Sequence, residues 1–218
     1  MARPRNEELF NTIKKEAYRQ LMTNGYTDTT YQSIATACGV TRAAVQNYYS
    51  SKADLAFSLF GDLLAVIYDI IREKHIHEEN EFDTMFCIGQ SFFHYFLNDE
   101  GRTKLIYDQS VSRDLTASVL EFEYYWGIDF IKAEQTVSQQ KLEDEIFFAM
   151  GGFYELLYQY IKYELDFDFV PHLGKVIIAI MRCFGYHYDE AEVFVEAHYM
   201  AREELDMMLS EIDERIEL

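Results

Sequence analysis

Gln46 and Asn47 stand side by side in the stretch TTYQSIATACGVTRAAVQNYYSSKADL, residues 29–55. Amide side chains of this kind can bond bidentately to adenine edges in a DNA major groove. Arg42, Tyr48 and Lys52 are placed around them to reach phosphates, which would fix the register of such a reader without adding sequence information. Thr29, Thr30 and Thr41 add hydroxyls where helices begin, and a capping threonine at a helix N-terminus also faces phosphate. With Ala43 and Ala44 on the same short helix, these ten residues form the candidate DNA-binding set.

Such a set needs two short helices held at a fixed angle. Ile34 and Ala35 supply the apolar side of the first, capped by Thr29 or Thr30, with Thr29 and Gln32 at the spacing of a capping box. Gly39 tolerates a left-handed turn, Val40 plugs the gap beneath it, and Thr41 caps a second helix expected from Arg42 to about Tyr49.

These residues resemble the tetracycline-repressor (TetR) family of bacterial regulators. The resemblance rests on Thr29-Thr30, Ile34-Ala35, Ala37-Cys38-Gly39-Val40-Thr41, Val45, Tyr48-Tyr49 and Ser51-Lys52 with Leu55. Upstream, Ile13, Ala17, Leu21, Met22 and Gly25-Tyr26 look like the family's first helix, which packs across the reading pair. Gln46 stands where the family commonly has an aromatic residue, and Tyr49 where it has Phe. The resemblance implies an all-α homodimer, with a helix-turn-helix three-helix head over residues 1–55 and a larger ligand-binding and dimerisation body over 56–218. It also implies a repressor whose heads read a palindromic double-stranded DNA operator until an effector in the body shifts the fourth helix.

Charge alone points elsewhere, because 19 Lys and Arg face 38 Asp and Glu, a net charge of -19. The distribution restores the nucleic-acid reading. Residues 1–60 hold seven cations against five anions, while the remainder holds twelve against thirty-three. A mildly basic head on an acidic body would orient the protein head-down on DNA. The acidic body also keeps open a second class of function, a helical protein-interaction module without DNA binding.

Cys38, Cys87 and Cys183 are odd in number and widely spaced, which suits small core thiols in a reducing compartment. No export signal or membrane-spanning run is visible, so a cytoplasmic protein without membrane contact is expected. His75 and His77 at i, i+2 point to different faces of a helix, which argues for a solvated helix end and against a metal site. No GxSxG, HExxH or phosphate-cradling loop occurs, so neither an enzyme nor a cofactor is expected.

Proline occurs only at positions 4 and 171, and the long interval between reads as helix. A fourth helix from Ser51 or Lys52 carries the ladder Leu55, Leu59, Leu63, Ile67 and Ile71. Further helices are expected over about 82–97, 102–107, 115–136, 141–165 and 172–183, with one last helix from Gly185 through Ile216.

The body is rich in aromatic residues, and Tyr107, Phe122, Tyr125, Trp126 and Tyr154 are the candidates to line a pocket for a small apolar or aromatic effector. Met150, Gly151, Gly152, Phe153, Leu157 and Ile177 are the candidates for a dimer interface, the paired glycines permitting close helix approach.

Overall fold

The structure, a computed structural model, describes residues 6–131 and 138–216. Its elements are eleven α-helices, with no strand among the described residues. Helices α1 (Glu7–Asp28), α2 (Tyr31–Cys38) and α3 (Arg42–Gln46) make the head, and α4 (Lys52–Lys74) leads out of it. The body continues with α5 (Glu81–Leu97), α6 (Glu100–Val111), α7 (Arg113–Phe130), α8 (Gln139–Lys162), α9 (Val170–Cys183), α10 (Tyr188–Ala197) and α11 (Arg202–Arg215).

Local chemistry sets the helix starts. At α4 the Ser51 hydroxyl accepts the Asp54 N–H at 3.1 Å while Asp54 accepts the Ser51 N–H at 2.8 Å, a reciprocal cap. Downstream, Leu55, Leu59, Leu63, Ile67 and Ile71 are all fully buried, as their spacing predicts. The stripe runs through one continuous core: Leu55 is buried at the head end of α4, where Tyr18 of α1 hydrogen-bonds Ser58 and Asp62, and Leu63 onward is buried in the body. Helix α5 is buried on nearly every side from Phe82 to Phe96, which makes it the axis of the body.

Head and body also meet where α1 crosses α6. A Cβ built on Gly101 would lie 2.4 Å from the Met22 carbonyl oxygen, so only glycine lets α6 come this close. Gly25, at φ +77°, kinks the end of α1, and a Cβ there would meet Asp108 Oδ2 at 2.7 Å.

The expected last helix is two helices. Gln90 of α5 donates to the His198 carbonyl at 3.1 Å and accepts the Met200 N–H at 3.0 Å, so a buried amide satisfies the backbone that the break between α10 and α11 releases. Periodicity carries through such a break because Val195, Leu205, Met208 and Ile212 still face the same core. The last part of the expected 115–136 helix lies outside the described residues.

Candidate nucleic-acid interface and body cavity

Thr30, and not Thr29, caps α2: its hydroxyl accepts the Ser33 N–H at 3.0 Å, and Ser33 returns a hydroxyl to the Thr30 N–H at 3.1 Å. The expected Thr29–Gln32 pair is thereby shifted by one residue. Thr29 is fully buried, with its hydroxyl donated to the Gly25 carbonyl at 2.7 Å. It anchors the kink of α1 and has no face toward a ligand.

The turn follows the expected chemistry. Gly39 sits at φ 67°, ψ 29°, the left-handed region, and closes α2. Thr41 then caps α3, accepting the Ala44 N–H at 3.2 Å. Helix α3 is shorter than its apolar pattern suggests, ending at Gln46 with Asn47 as its cap. Val45 is buried beneath it, while Thr41, Arg42, Ala43, Gln46 and Asn47 are exposed and Ala44 is half-buried. One edge of a short helix thus presents a cation and two amides to solvent.

Tyr48 and Lys52 sit differently. The Tyr48 hydroxyl donates to the Asn6 carbonyl at 3.2 Å and its ring packs 5.5 Å from Phe10, tying the loop after α3 to the start of α1. Lys52 donates to the Thr27 carbonyl at 3.1 Å and lies over the Tyr26 ring at 4.3 Å. Burial pulls its pKa down, against the raising pull of Asp108 and Asp28. In this arrangement Lys52 braces the end of α1 instead of standing free for phosphate.

The geometry has a counterpart among known proteins. Residues 13–59, from mid-α1 into α4, match the model for bacterial regulatory proteins of the tetR family. The head is that of a tetR-family regulator. Its match marks a DNA-binding transcriptional regulator, and none of the curated proteins matches the chain. The rest of the chain is the helical body that this tetR-type head surmounts.

That body holds a partly open cavity of about 100 Å³. Its walls come from α4 (Phe60, Leu64), α5, α7, α8 and α9, and they are apolar apart from Glu123. Phe122 and Trp126 line it, as the aromatic pattern suggests. Tyr125 does not, being 56% exposed on the outer side of α7. Tyr107 stacks on Tyr158 at 5.8 Å in a separate surface groove beside Lys104 and Lys162. Residues 107 and 125 belong to helices that do converge, but the helical phase turns both rings away from the cavity.

Tyr154 lies behind the cavity wall. Its buried hydroxyl donates to Glu123 Oε1 in a short bond. Glu123 Oε2 has no partner and no accessible surface, although the residue as a whole is only half-buried. Desolvation pushes the Glu123 carboxyl up to about 8, against the lowering pull of the Tyr154 hydroxyl. Burial also drives Tyr154 upward, reinforced by Glu123. From α6, buried Gln109 adds a second orphan, its Nε2. Glu123, one of two glutamates in the stretch EFEYYW, carries no signal of this, because only the phase of α7 against α8 turns it inward.

The expected dimer residues also need correction. Met150, Phe153, Leu157 and Ile177 are buried in the chain's own core, and Met150 and Ile177 line the cavity. The apolar stripe of α8 faces its own body. Gly151 and Gly152 lie on the other side, where a built Cβ meets nothing within 4 Å. The same outer face carries Phe148, which is 82% exposed.

His77 differs from a solvated helix end. It bridges Asp83 and Glu204, both at 2.9 Å, and ties the start of α5 to α11. Burial opposes its charge, yet the two carboxylates prevail and raise its pKa. Among the described residues no cluster suits a metal ion, and no helix is long and apolar enough to cross a membrane.

Proposed function

We propose that this protein is an effector-responsive repressor that binds its operator as a homodimer. The observation that carries the reading is the double duty of α4. Ser58 and Asp62 of this helix bond Tyr18 of the head helix α1, and within the same two turns Phe60 and Leu64 line the body cavity. An occupant that displaces Phe60 or Leu64 therefore tilts the helix on which the head is mounted, which changes how two heads can meet successive grooves.

On DNA, Gln46 and Asn47 read base edges, with Arg42, Thr30 and Thr41 on the backbone. Ala43 and Ala44 allow close approach to the groove floor. Tyr48 and Lys52 hold the reading pair against α1. The second protomer docks on the outer face of α8 and α9, with Phe148, Gly151 and Gly152 at its centre and Lys175 and Arg182 along its edge. All five are exposed or half-buried in the single chain. The two glycines, unexplained by any neighbour within the chain, permit close helix approach there.

The test is selection of binding sites from genomic DNA by the full chain, followed by salt titration of the selected duplex. A palindromic site bound by two chains, with affinity falling steeply in salt, is expected. A stable complex with a protein partner together with no affinity for any DNA fragment would replace this reading by the interaction-module alternative. Release of the selected site by small apolar compounds, followed through Trp126, tests the effector half.

A further inference from the structure

We propose that the body cavity takes a small lipophilic amine, its ammonium held by the Glu123 carboxyl and its apolar part lying among Phe92, Phe122, Trp126 and Ile177. The proposal deepens the effector reading and rests on it for biological meaning, although not for binding itself.

Three observations carry it. The cavity wall is apolar except for one carboxyl, and among the described residues no Lys, Arg or His lines it. An anion would therefore enter with nothing to offset the loss of water, and would face Glu123 as well. Next, Glu123 is half satisfied. Tyr154 fills Oε1, while Oε2 is buried without a donor. Burial holds the unliganded Glu123 as the neutral acid, and a bound ammonium supplies the opposite charge against which it gives up its proton, leaving a charge-assisted hydrogen bond. Finally, Phe122 and Trp126 come from the same helix as Glu123, one residue before and three after it, and both line the cavity. Aromatic faces beside a carboxylate suit a cation carried on an apolar body. An engineered apolar cavity of about 150 Å³ holds benzene, so a partly open cavity of about 100 Å³ is on the scale of one ring or a short branched chain.

The probes are benzylamine, its neutral counterpart toluene and the anion benzoate, titrated into the full-length dimer while Trp126 fluorescence and operator release are followed together. Benzylamine is expected to bind about tenfold or more tightly than toluene, and benzoate not to bind. Glu123→Gln should remove the preference for the amine while toluene binds as before. Should Glu123→Gln fail to fold, Ile177→Phe, which fills the cavity and leaves Glu123 in place, should abolish binding of benzylamine and toluene alike.

Toluene binding as well as benzylamine, an amine preference that survives Glu123→Gln, amine binding that persists in Ile177→Phe, or no probe binding at all would each overturn the proposal. Amine binding of the expected pattern without operator release would leave the proposal standing and defeat the effector reading. Release by toluene with no preference for the amine would do the reverse.

Discussion

Asp108 Oδ2 accepts the backbone N–H of Thr27 at 2.7 Å, a bond that joins the body helix α6 to the last turn of the head helix α1. Lys104, one turn earlier on α6, completes the joint by donating to the Asn24 carbonyl at 2.7 Å and pairing with Asp28 at 2.9 Å. Asp108 is nearly buried, so its carboxylate works in a setting where an unmet N–H is costly.

Asp108→Ala should therefore destabilise the protein by about 1–3 kcal/mol, the worth of a part-buried hydrogen bond to a charged group. Denaturant melts measure the loss. Hydrogen exchange at Thr27 should accelerate in this variant while exchange at Leu63, deep in α4, slows or holds after correction for global stability. Unchanged exchange at Thr27 would show that the bond does not secure the joint.

In the head, Gln46→Ala should cost about 1–3 kcal/mol on the selected operator and little on random DNA. Lys52→Ala should behave differently, since Lys52 grips Thr27 and Tyr26. Melting temperature should fall along with affinity for every duplex, and the salt slope should change by less than one unit. A full unit of slope lost with no loss of stability would restore Lys52 to the phosphate.

At the dimer face, Phe148→Glu should give folded, helical monomers that no longer bind the operator, as read by sedimentation and circular dichroism. Met150→Glu should instead destabilise the fold, because a charge would replace a buried side chain in the cavity wall. Folded monomers from Met150→Glu and unaffected dimers from Phe148→Glu would return the interface to the stripe expected from sequence.

Glu123 makes stability depend on pH with a definite sign. Its folded pKa, about 8, lies above the ordinary glutamate value of 4.5, so the folded state holds the proton more tightly. The stabilisation is complete below about pH 4.5 and is lost as pH rises through about 8, on the order of a few kcal/mol in all. Glu123→Gln should flatten the fall in melting temperature over that window relative to the unmodified protein. Parallel curves for the two proteins would mean the carboxyl titrates near its ordinary range.

The head was legible from sequence because its determinants are local. Gly39 at positive φ, caps at Thr30, Thr41 and Ser51, and the α4 ladder each depend on residues within a turn or two. Thr29 shows the limit: a shift of one residue moved the cap to Thr30 and buried its neighbour. The body was legible in outline only. An apolar stripe such as Met150, Phe153 and Leu157 announces that a face is covered, without saying whether the cover is the chain itself or a second copy. Glu123 was invisible, since the phase between α7 and α8 is a tertiary property.

The crossing of α1 and α6 at Gly101 sets backbone against backbone, with the Met22 carbonyl 2.4 Å from where a Cβ would stand. Side-chain contacts yield by changing rotamer, and a joint made of them has play. Here the Asp108 and Lys104 side chains hold the rim of the joint, and at Gly101 the peptide groups themselves meet. A movement of α6 toward α1 would therefore press at Gly101 on the peptide groups of Met22 and Thr23, which have no side-chain rotamer to yield.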